Sequence, residues 1–398
     1  MPLSDSDPVV ISAARRTPLG AFMGTLSTVP APELGATAIR AVLADAGLAA
    51  DQVSEVLMGC VLPAGLGQAP ARQAARAAGL VDAVGATTVN KVCGSGMKAA
   101  MLGHDLIRAG SAEIVIAGGM EAMSGAPFLL PDMRGGHKAG SAEVIDHMMK
   151  DGLEDAYERG RPMGAFGEAT AERYGFSRAD QDGYAIETLE RARNAVTSGA
   201  FDAECAPVTV RTRKGELTVV RDERPGQISS EKIPTLRSAF GEGGTITAAS
   251  ASANADGAAV MVLARESTAQ AKGLPVMARI LGHATQSQEP AWFTTAPIPA
   301  IRKLLEQVGW QADDVDLWEI NEAFAVVSMA AAKEVGILRD RLNVNGGACA
   351  LGHPIGATGA RIVVTLLHAL RARGLKRGIA CLCIGGGEAT AIALEVVE

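Results

Sequence analysis

The amino-acid sequence predicts an α/β fold assembled from two similar halves, on three observations. Short apolar, β-branched runs such as EIVIAGG (113–119) and IACLCIGGG (379–387) alternate with alanine-rich helical stretches, which is how buried strands alternate with helices in α/β proteins. A segment then recurs: AIRAVLADAGLAADQV (38–53) returns as AIRKLLEQVGWQADDV (300–315), with Ala38, Ile39, Arg40, Leu43, Gly47, Asp51 and Val53 matching Ala300, Ile301, Arg302, Leu305, Gly309, Asp313 and Val315. A second pair follows in the same order, MKAAMLGHDLIRAGSAEIVIAGGMEA (97–122) and GARIVVTLLHALRARGLKRGIACLCIGGGEA (359–389). Two matched units in one order imply duplication rather than chance likeness among alanine-rich helices.

Each element of this reading has a local cause. The first unit is a helix, a glycine stop and an acidic turn leading into a strand. The second is a helix, a glycine-containing turn, a buried strand and a Gly-Gly-x-Glu-Ala tail. Residues 126–249 break the rhythm with MRGGHKAG, ERGRPMG and the hairpin-like VTVRTRKGELTVV, whose turn is expected at Lys214-Gly215. This stretch reads as an insertion that shapes ligand access. The expected division is 1–125 with 250–275 as one core half, 126–249 as an inserted loop domain, and 276–398 as the other half.

Composition narrows the function classes. At 398 residues the chain exceeds one ordinary core, and 48% apolar with 20% charged residues fits a water-soluble protein. A net charge of −7 argues against a nucleic-acid partner, though a local basic patch can still hold a small anion. No run of about 18 uncharged apolar residues occurs, so no membrane partner is expected. MPLSDSDPVVISAARRTPLG reads as neither secretory signal nor transit peptide, and ALEVVE is not a peroxisomal tripeptide. A cytoplasmic location is expected, and the six cysteines are expected to be free.

Four clusters carry chemistry. In VNKVCGSGMKAAM (89–101) a strand is expected to end near Val92 and a helix to begin after the glycines. Cys93 at that junction would sit at a helix N-terminus, whose dipole favours thiolate and lowers the pKa. Gly94 and Gly96 would let a substrate approach the backbone. Cys93 reads equally as a small buried hydrophobe. In NVNGGACALGHPIGATGAR (343–361) Pro354 biases His353 away from helix, leaving it a loop residue. Through the repeat, the helix after His353 corresponds to the one after Cys93, so the two helix starts should share a face. In CLCIGGGEA (381–389) Cys381 and Cys383 are expected to project to opposite sides of one strand, which speaks against a zinc site. Cys383 stands at the strand's C-terminal end, where ligands of α/β sheets bind, and the glycine N–H groups after it can stabilise an oxyanion. In WEINEAF, Asn321 or Glu322 is a helix N-cap, or the uncharged amide holds a water or a carbonyl oxygen. Two thiols, a histidine and an asparagine at element ends make a constellation for acyl transfer.

These motifs, VCGSGMKA, GGMEAMS, NEAFA, GGACALGHPIGATGAR and CIGGGEA, with LPAGLGQAPARQAA (62–75), resemble the thiolase family and occur in the family's order over nearly the whole chain. The resemblance implies two duplicated βαβαβαββ halves in a layered α-β-α-β-α arrangement with an inserted loop domain. It implies thiolytic cleavage of 3-ketoacyl-CoA, or the reverse condensation of acetyl-CoA, through a ping-pong route. Cys93 then resembles the nucleophile and His353 the base that activates it. His353 and Asn321, the latter through a water, would make one oxyanion hole. Cys383 resembles the second acid/base, and the N–H groups of Cys93 and Gly385 the other oxyanion hole. Ser252 and Arg224 would meet coenzyme A, and Met163, Phe240, Ala323 and Phe324 complete the implied substrate and CoA contacts. Coenzyme A would act as a substrate, with no permanently bound cofactor and no metal. A homo-oligomer, dimer or dimer of dimers, is implied too.

The chain departs from the family's pattern where short-chain members carry His-Met-Gly and it has Pro162-Met163-Gly164, and where Asn-Ala-Ser is replaced by Ser250-Ala251-Ser252. These departures leave a medium- or long-chain degradative enzyme as the alternative to a short-chain one. A decarboxylating ketoacyl synthase shares the fold, but uses a histidine or an asparagine where this chain has Cys383. A non-enzymatic acyl-CoA binder would show eroded catalytic positions, and none is eroded.

Overall fold

The structure, a computed structural model, describes residues 7–397. The termini on which the targeting readings partly rest, 1–6 and 398, lie outside the described residues. The strands are β1 (Val9–Arg16), β2 (Gly20–Ala21), β3 (Glu55–Gly59), β4 (Gly85–Val89), β5 (Ile114–Ala122), β6 (Phe128–Leu129), β7 (Ile145–Asp146), β8 (Val208–Thr212), β9 (Gly215–Val219), β10 (Ala255–Arg265), β11 (Ala278–Ser287), β12 (Leu317–Ile320), β13 (Arg377–Ile384) and β14 (Glu388–Val396). The helices are α1 (Ala31–Ala46), α2 (Pro70–Ala77), α3 (Ser95–Arg108), α4 (Gly164–Tyr174), α5 (Arg178–Ser198), α6 (Glu266–Lys272), α7 (Pro297–Val308), α8 (Ala325–Val335), α9 (Ala348–Leu351) and α10 (Thr358–Arg373).

The duplication is visible in the sheet. Its order is β12-β13-β14-β11-β1-β10-β5-β3-β4, and the halves meet where β1 pairs with β11 over only two residue pairs, Val10 with Arg279 and Ile11 with Ala278. Outward from that junction each half runs two antiparallel neighbours and then a parallel pair, β3 beside β5 in one half and β12 beside β13 in the other. The repeated first unit behaves alike in both copies. Gly47 and Gly309 end α1 and α7 in the left-handed conformation, at φ 61° and 73°, and a short 3-10 turn then leads into β3 or β12.

The second unit diverges at its tail. Gly118–Ala122 stays inside β5, whereas Gly385–Gly387 leaves the sheet as the turn between β13 and β14. One copy of the motif builds a strand and the other builds a turn.

Helices cover the sheet in three layers, each sealed by its own apolar cluster. α1 and α2 pack on one half around Leu34, Ile39, Val56 and Ala74. α7 and α8 pack on the other around Ile301, Leu304, Trp318 and Val327. Between the halves α3 and α10 share a core with strands of both, joining Met97, Val115, Met261, Val363, Leu367 and Leu382. α10 is buried along almost its whole length, as a central helix requires. The two inner helices approach closely because both are glycine-marked at the crossing. A Cβ on Gly96 would lie 2.9 Å from the Ala360 nitrogen, and one on Gly359 would lie 2.5 Å from the Met97 nitrogen.

Residues 123–254 add no strand to the main sheet; they hold α4, α5 and two small hairpins. In the β8–β9 hairpin Thr212 pairs with Gly215, so the turn is Arg213-Lys214, one residue before the expected position. Gly215, at φ 121°, already opens the second strand. A buried ion cluster joins this region to β1: Arg16 bonds Glu204 at 2.5 Å and Asp222 at 2.7 and 2.9 Å. All six cysteines are free. Among the described residues no helix is long and apolar enough to cross a membrane.

Candidate active site

The Cys93 loop is a tight, strained turn. β4 ends at Val89, three residues before the expected end, because Asn90–Gly94 folds back on itself. Asn90 Oδ1 accepts the Val92 N–H at 3.0 Å, Ser95 Oγ accepts the Lys91 N–H at 2.8 Å, and the Ser95 hydroxyl donates to the Val92 carbonyl at 2.6 Å. Val92 is thereby held at φ 46°, a left-handed conformation that costs a β-branched residue on the order of 1–3 kcal/mol. The strain presents Cys93 at the head of α3. The Lys91 ammonium pairs with Glu388 at the start of β14 and pins the turn to the Gly385–Gly387 loop.

The thiol differs from expectation. Burial pushes its pKa up to about 11, against the backbone N–H groups of Gly385 and of Cys93 itself, which point at the sulfur. Loss of solvent outweighs the helix-end dipole here. Gly94 and Gly96 also serve another purpose than substrate approach. A Cβ on Gly94 would lie 2.4 Å from Ile384 Cδ1, and Gly96 abuts α10. They let α3 pack, while Cys93 itself packs against an apolar cluster of Val61, Leu62, Met123, Met148 and Ile355.

Cys383 is fully buried at the end of β13, its pKa raised by burial and then by the neighbouring Cys93 charge. It shares a face, and an apolar cluster, with Cys381 and Ile379. The expected opposition of the two thiols fails because side chains alternate along a strand, so residues two apart face the same way.

His353 lies in the loop between α9 and α10 and is only 5% exposed. Its backbone N–H donates to the Ala253 carbonyl at 2.8 Å. Its pKa falls to about 3, from burial and then the Arg361 charge, so the ring is neutral at ordinary pH. Thr358 sets the tautomer. Its hydroxyl donates to the Pro354 carbonyl at 3.0 Å, so its oxygen must accept from His353 Nδ1 at 2.6 Å. The proton then resides on Nδ1, and Nε2 is left as a free base. Thr358 escaped the sequence reading, although it lies in the same motif, one helical turn past Pro354.

Asn321 is 1% exposed, and neither amide atom has a protein partner. A buried polar group left open this way is rare and fits a site that receives a water or a carbonyl oxygen. Neither Asn321 nor Glu322 is the α8 N-cap, which is Phe324. Glu322 instead binds Tyr184 and Thr188 of α5, Asn343 and the Cys349 N–H, locking the α9 loop against α5. Glu121 plays a similar part on the other side: it accepts N–H bonds from Val61, Leu62 and Gly356, and burial raises its pKa to about 7.

The remaining candidates divide into two groups. Ser252 donates its N–H to the Ala323 carbonyl at 2.9 Å, and Ala251 bridges to Phe324. Phe324 stacks edge-on with Phe240 at 5.7 Å, Phe240 closes over Gly164, and the neighbouring Met163 reaches the vicinity of Gly385. These residues therefore form one wall running to the glycine loop. Arg224 stands apart, its guanidinium near the carbonyls of Ala248 and Cys349 at 3.4–3.5 Å, where burial lowers its pKa.

Comparisons with known proteins bear on this site. Residues 9–267 match the family model "Thiolase, N-terminal domain", and residues 274–396 match "Thiolase, C-terminal domain". The chain is 48% identical over 388 residues to an acetyl-CoA acetyltransferase of Pseudomonas aeruginosa, covering 97% of this chain and 98% of that one. The crystal structure of the Bacillus anthracis acetyl-CoA acetyltransferase superposes with a TM-score of 0.96 at 41% identity, covering 98% and 99% of the two chains. The Acat5 thiolase from Ascaris suum in complex with coenzyme A superposes at 0.92 with 42% identity, covering 98% and 100%.

Proposed function

This chain belongs to the thiolase family, and on that premise we propose how its residues divide the chemistry. It is an acyltransferase that moves acyl groups between coenzyme A thioesters, cleaving 3-ketoacyl-CoA or, in reverse, condensing acetyl-CoA. The relatives are acetyl-CoA acetyltransferases, which favours acetoacetyl-CoA over the medium- or long-chain alternative.

In the cleavage direction Cys93 sulfur bonds to the 3-keto carbon of the substrate while its proton passes to His353 Nε2. With the thiol at about 11 and the imidazole at about 3, the resting pair is neutral. The proton therefore moves only as attack builds charge on the carbonyl oxygen, and stabilising that charge is the main task of the site. The Cys93 and Gly385 N–H groups, which point at the sulfur, would hold that oxyanion. The carbon–carbon bond then breaks, leaving the acyl group on Cys93 and the acetyl-CoA enolate, whose thioester oxygen His353 and Asn321, the latter through a water, would hold. Cys383 protonates the enolate carbon. It then takes the proton of incoming coenzyme A, whose sulfur displaces Cys93 and releases acyl-CoA, while the departing Cys93 thiolate recovers its proton from the His353 imidazolium. The observation that carries this reading is the unpartnered, buried Asn321 amide, together with a buried His353 whose Nδ1 proton is fixed by Thr358.

We also propose that residues 126–249 act as a loop domain, with Ser252, Arg224, Met163, Phe240, Ala323 and Phe324 meeting coenzyme A and the acyl chain. The coenzyme A complex of the Ascaris suum relative supports coenzyme A as substrate. A homo-oligomer, dimer or dimer of dimers, on the strength of the family resemblance, and a cytoplasmic location, from the sequence reading of targeting and membrane signals, complete the proposal.

Thiolysis of acetoacetyl-CoA and of longer 3-ketoacyl-CoA, with intact-mass detection of the acyl-enzyme, tests it. Cys93→Ala should abolish both turnover and the adduct; undiminished turnover would sink the assignment.

A further inference from the structure

Far from Cys93 in the sequence of α3, three side chains from opposite halves of the fold converge. His104 and Asp105 lie in the last turns of α3, and His283 lies on β11. His104 Nδ1 and His283 Nε2 both face the same oxygen, Asp105 Oδ1, at 3.0 and 2.9 Å. All three donor atoms lie within 4.8 Å of one another. We propose that His104, Asp105 and His283 form a binding site for one divalent transition-metal ion of the zinc type, which clamps α3 of the first half to β11 of the second.

The donor set is the one such ions take. Two imidazole nitrogens and a carboxylate oxygen, with a water in the fourth position, make a tetrahedral zinc site. Ligand atoms about 2.0–2.1 Å from a tetrahedral ion lie roughly 3.3 Å apart, so the two bonded pairs need open by only a few tenths of an ångström, while the two nitrogens, within 4.8 Å of each other, draw in toward that same spacing. Imidazoles sharing one such ion place their ring centres about 5 Å apart. Here the centroids are 4.9 Å apart, with the rings at 89°, so neither ring blocks the other's approach to a common centre.

The surroundings suit binding. His104 is buried, 6% exposed, and cannot swing away, while the Asp105 side chain is half in solvent and provides entry and the water position. The two elements are rigid, being a core helix and a strand paired along its length with β14. In the absence of an ion the two nitrogens must each carry a proton to bond the shared oxygen, and the ion would take the place of both. The site is remote from the chemistry, so its effect would be on the joint between the halves, which the sheet itself joins by only two residue pairs.

The test uses the full-length chain, free of any affinity tag, stripped with a chelator and titrated with zinc chloride by calorimetry, with Tm measured in chelator and in zinc. The parent and a Cys93→Ser variant should bind one zinc per chain and gain Tm. His283→Ala and Asp105→Asn should bind at least tenfold more weakly and lose the zinc-dependent gain in Tm. His283→Gln keeps a donor toward Asp105, so it should melt like the parent in chelator yet still lose zinc affinity. Parental zinc affinity in the His283 and Asp105 variants, or binding abolished by Cys93→Ser, overturns the assignment.

Discussion

Replacing Thr358 with valine removes one hydroxyl from a site it does not share with substrate. The change is nearly isosteric, so packing around α10 should hold. The oxygen it removes accepts the His353 Nδ1 proton at 2.6 Å and donates to the Pro354 carbonyl at 3.0 Å. Leaving that buried N–H without a partner costs about 1–3 kcal/mol, unless the ring escapes to the other tautomer. Escape moves the proton to Nε2, where the base should be, and so disables the ring by a different route. Either way the loss falls on the proton-transfer step, and about 1.4 kcal/mol is a factor of ten in rate. The expected outcome for Thr358→Val is a kcat roughly 10 to 100-fold below the parent, with KM for acetoacetyl-CoA little changed. Thr358→Ser, which keeps the oxygen, should restore most of the rate. Steady-state thiolysis on all three proteins, with circular dichroism melts to confirm folding, decides it. Parental kcat in Thr358→Val, or equal losses in the valine and serine variants, would refute the positioning role.

Two further outcomes follow from the same geometry. Gly359→Ala drives a Cβ to within 2.5 Å of the Met97 backbone nitrogen at the α3–α10 crossing, so it should destabilise by about 3 kcal/mol or more in denaturant melts. Gly374→Ala meets only open space at φ 65° and should cost on the order of 1 kcal/mol; similar losses at both positions would contradict the packing argument. Acid should also act through His353. The unfolded chain takes up a proton near pH 6.5, whereas the folded ring resists protonation to about 3, so this residue's contribution to stability is lost as pH falls through that window. The slope is at most about 1.4 kcal/mol per pH unit. His353→Gln should show a shallower fall in unfolding free energy between pH 6.5 and 3, and an unchanged slope would mean that the folded ring titrates normally.

Much of this architecture was legible before any coordinates. Duplication could be read because helix, glycine stop and strand are encoded by local periodicity and by residues with special backbone preferences, and these recur at Gly47 and Gly309. The candidate catalytic residues stood out because Cys93, His353, Asn321 and Cys383 all sit at element ends in glycine-rich or short polar motifs. What could not be read is how neighbours share space. Burial raises the Cys93 pKa above its ordinary value, whereas local sequence shows only a helix dipole that would lower it. Gly94 and Gly96 are small because Ile384 and the start of α10 press on them from residues about 260 to 290 positions away. Cys381 and Cys383 share a face by strand geometry, which is local, and there the sequence reading simply erred.

By itself, then, the sequence determined the α/β class, the doubling and the set of chemically able side chains, because each depends on contacts within a few residues. Only the tertiary structure decided which proton His353 keeps, since Thr358 must meet it across a folded loop. Only the structure left the Asn321 amide open and gave one GGxEA tail to a strand and the other to a turn. Asp105 and His283 meet across a sequence separation of 178 residues. Their spacing carries no motif, because the helix and the strand that hold them come together only when the two halves pack.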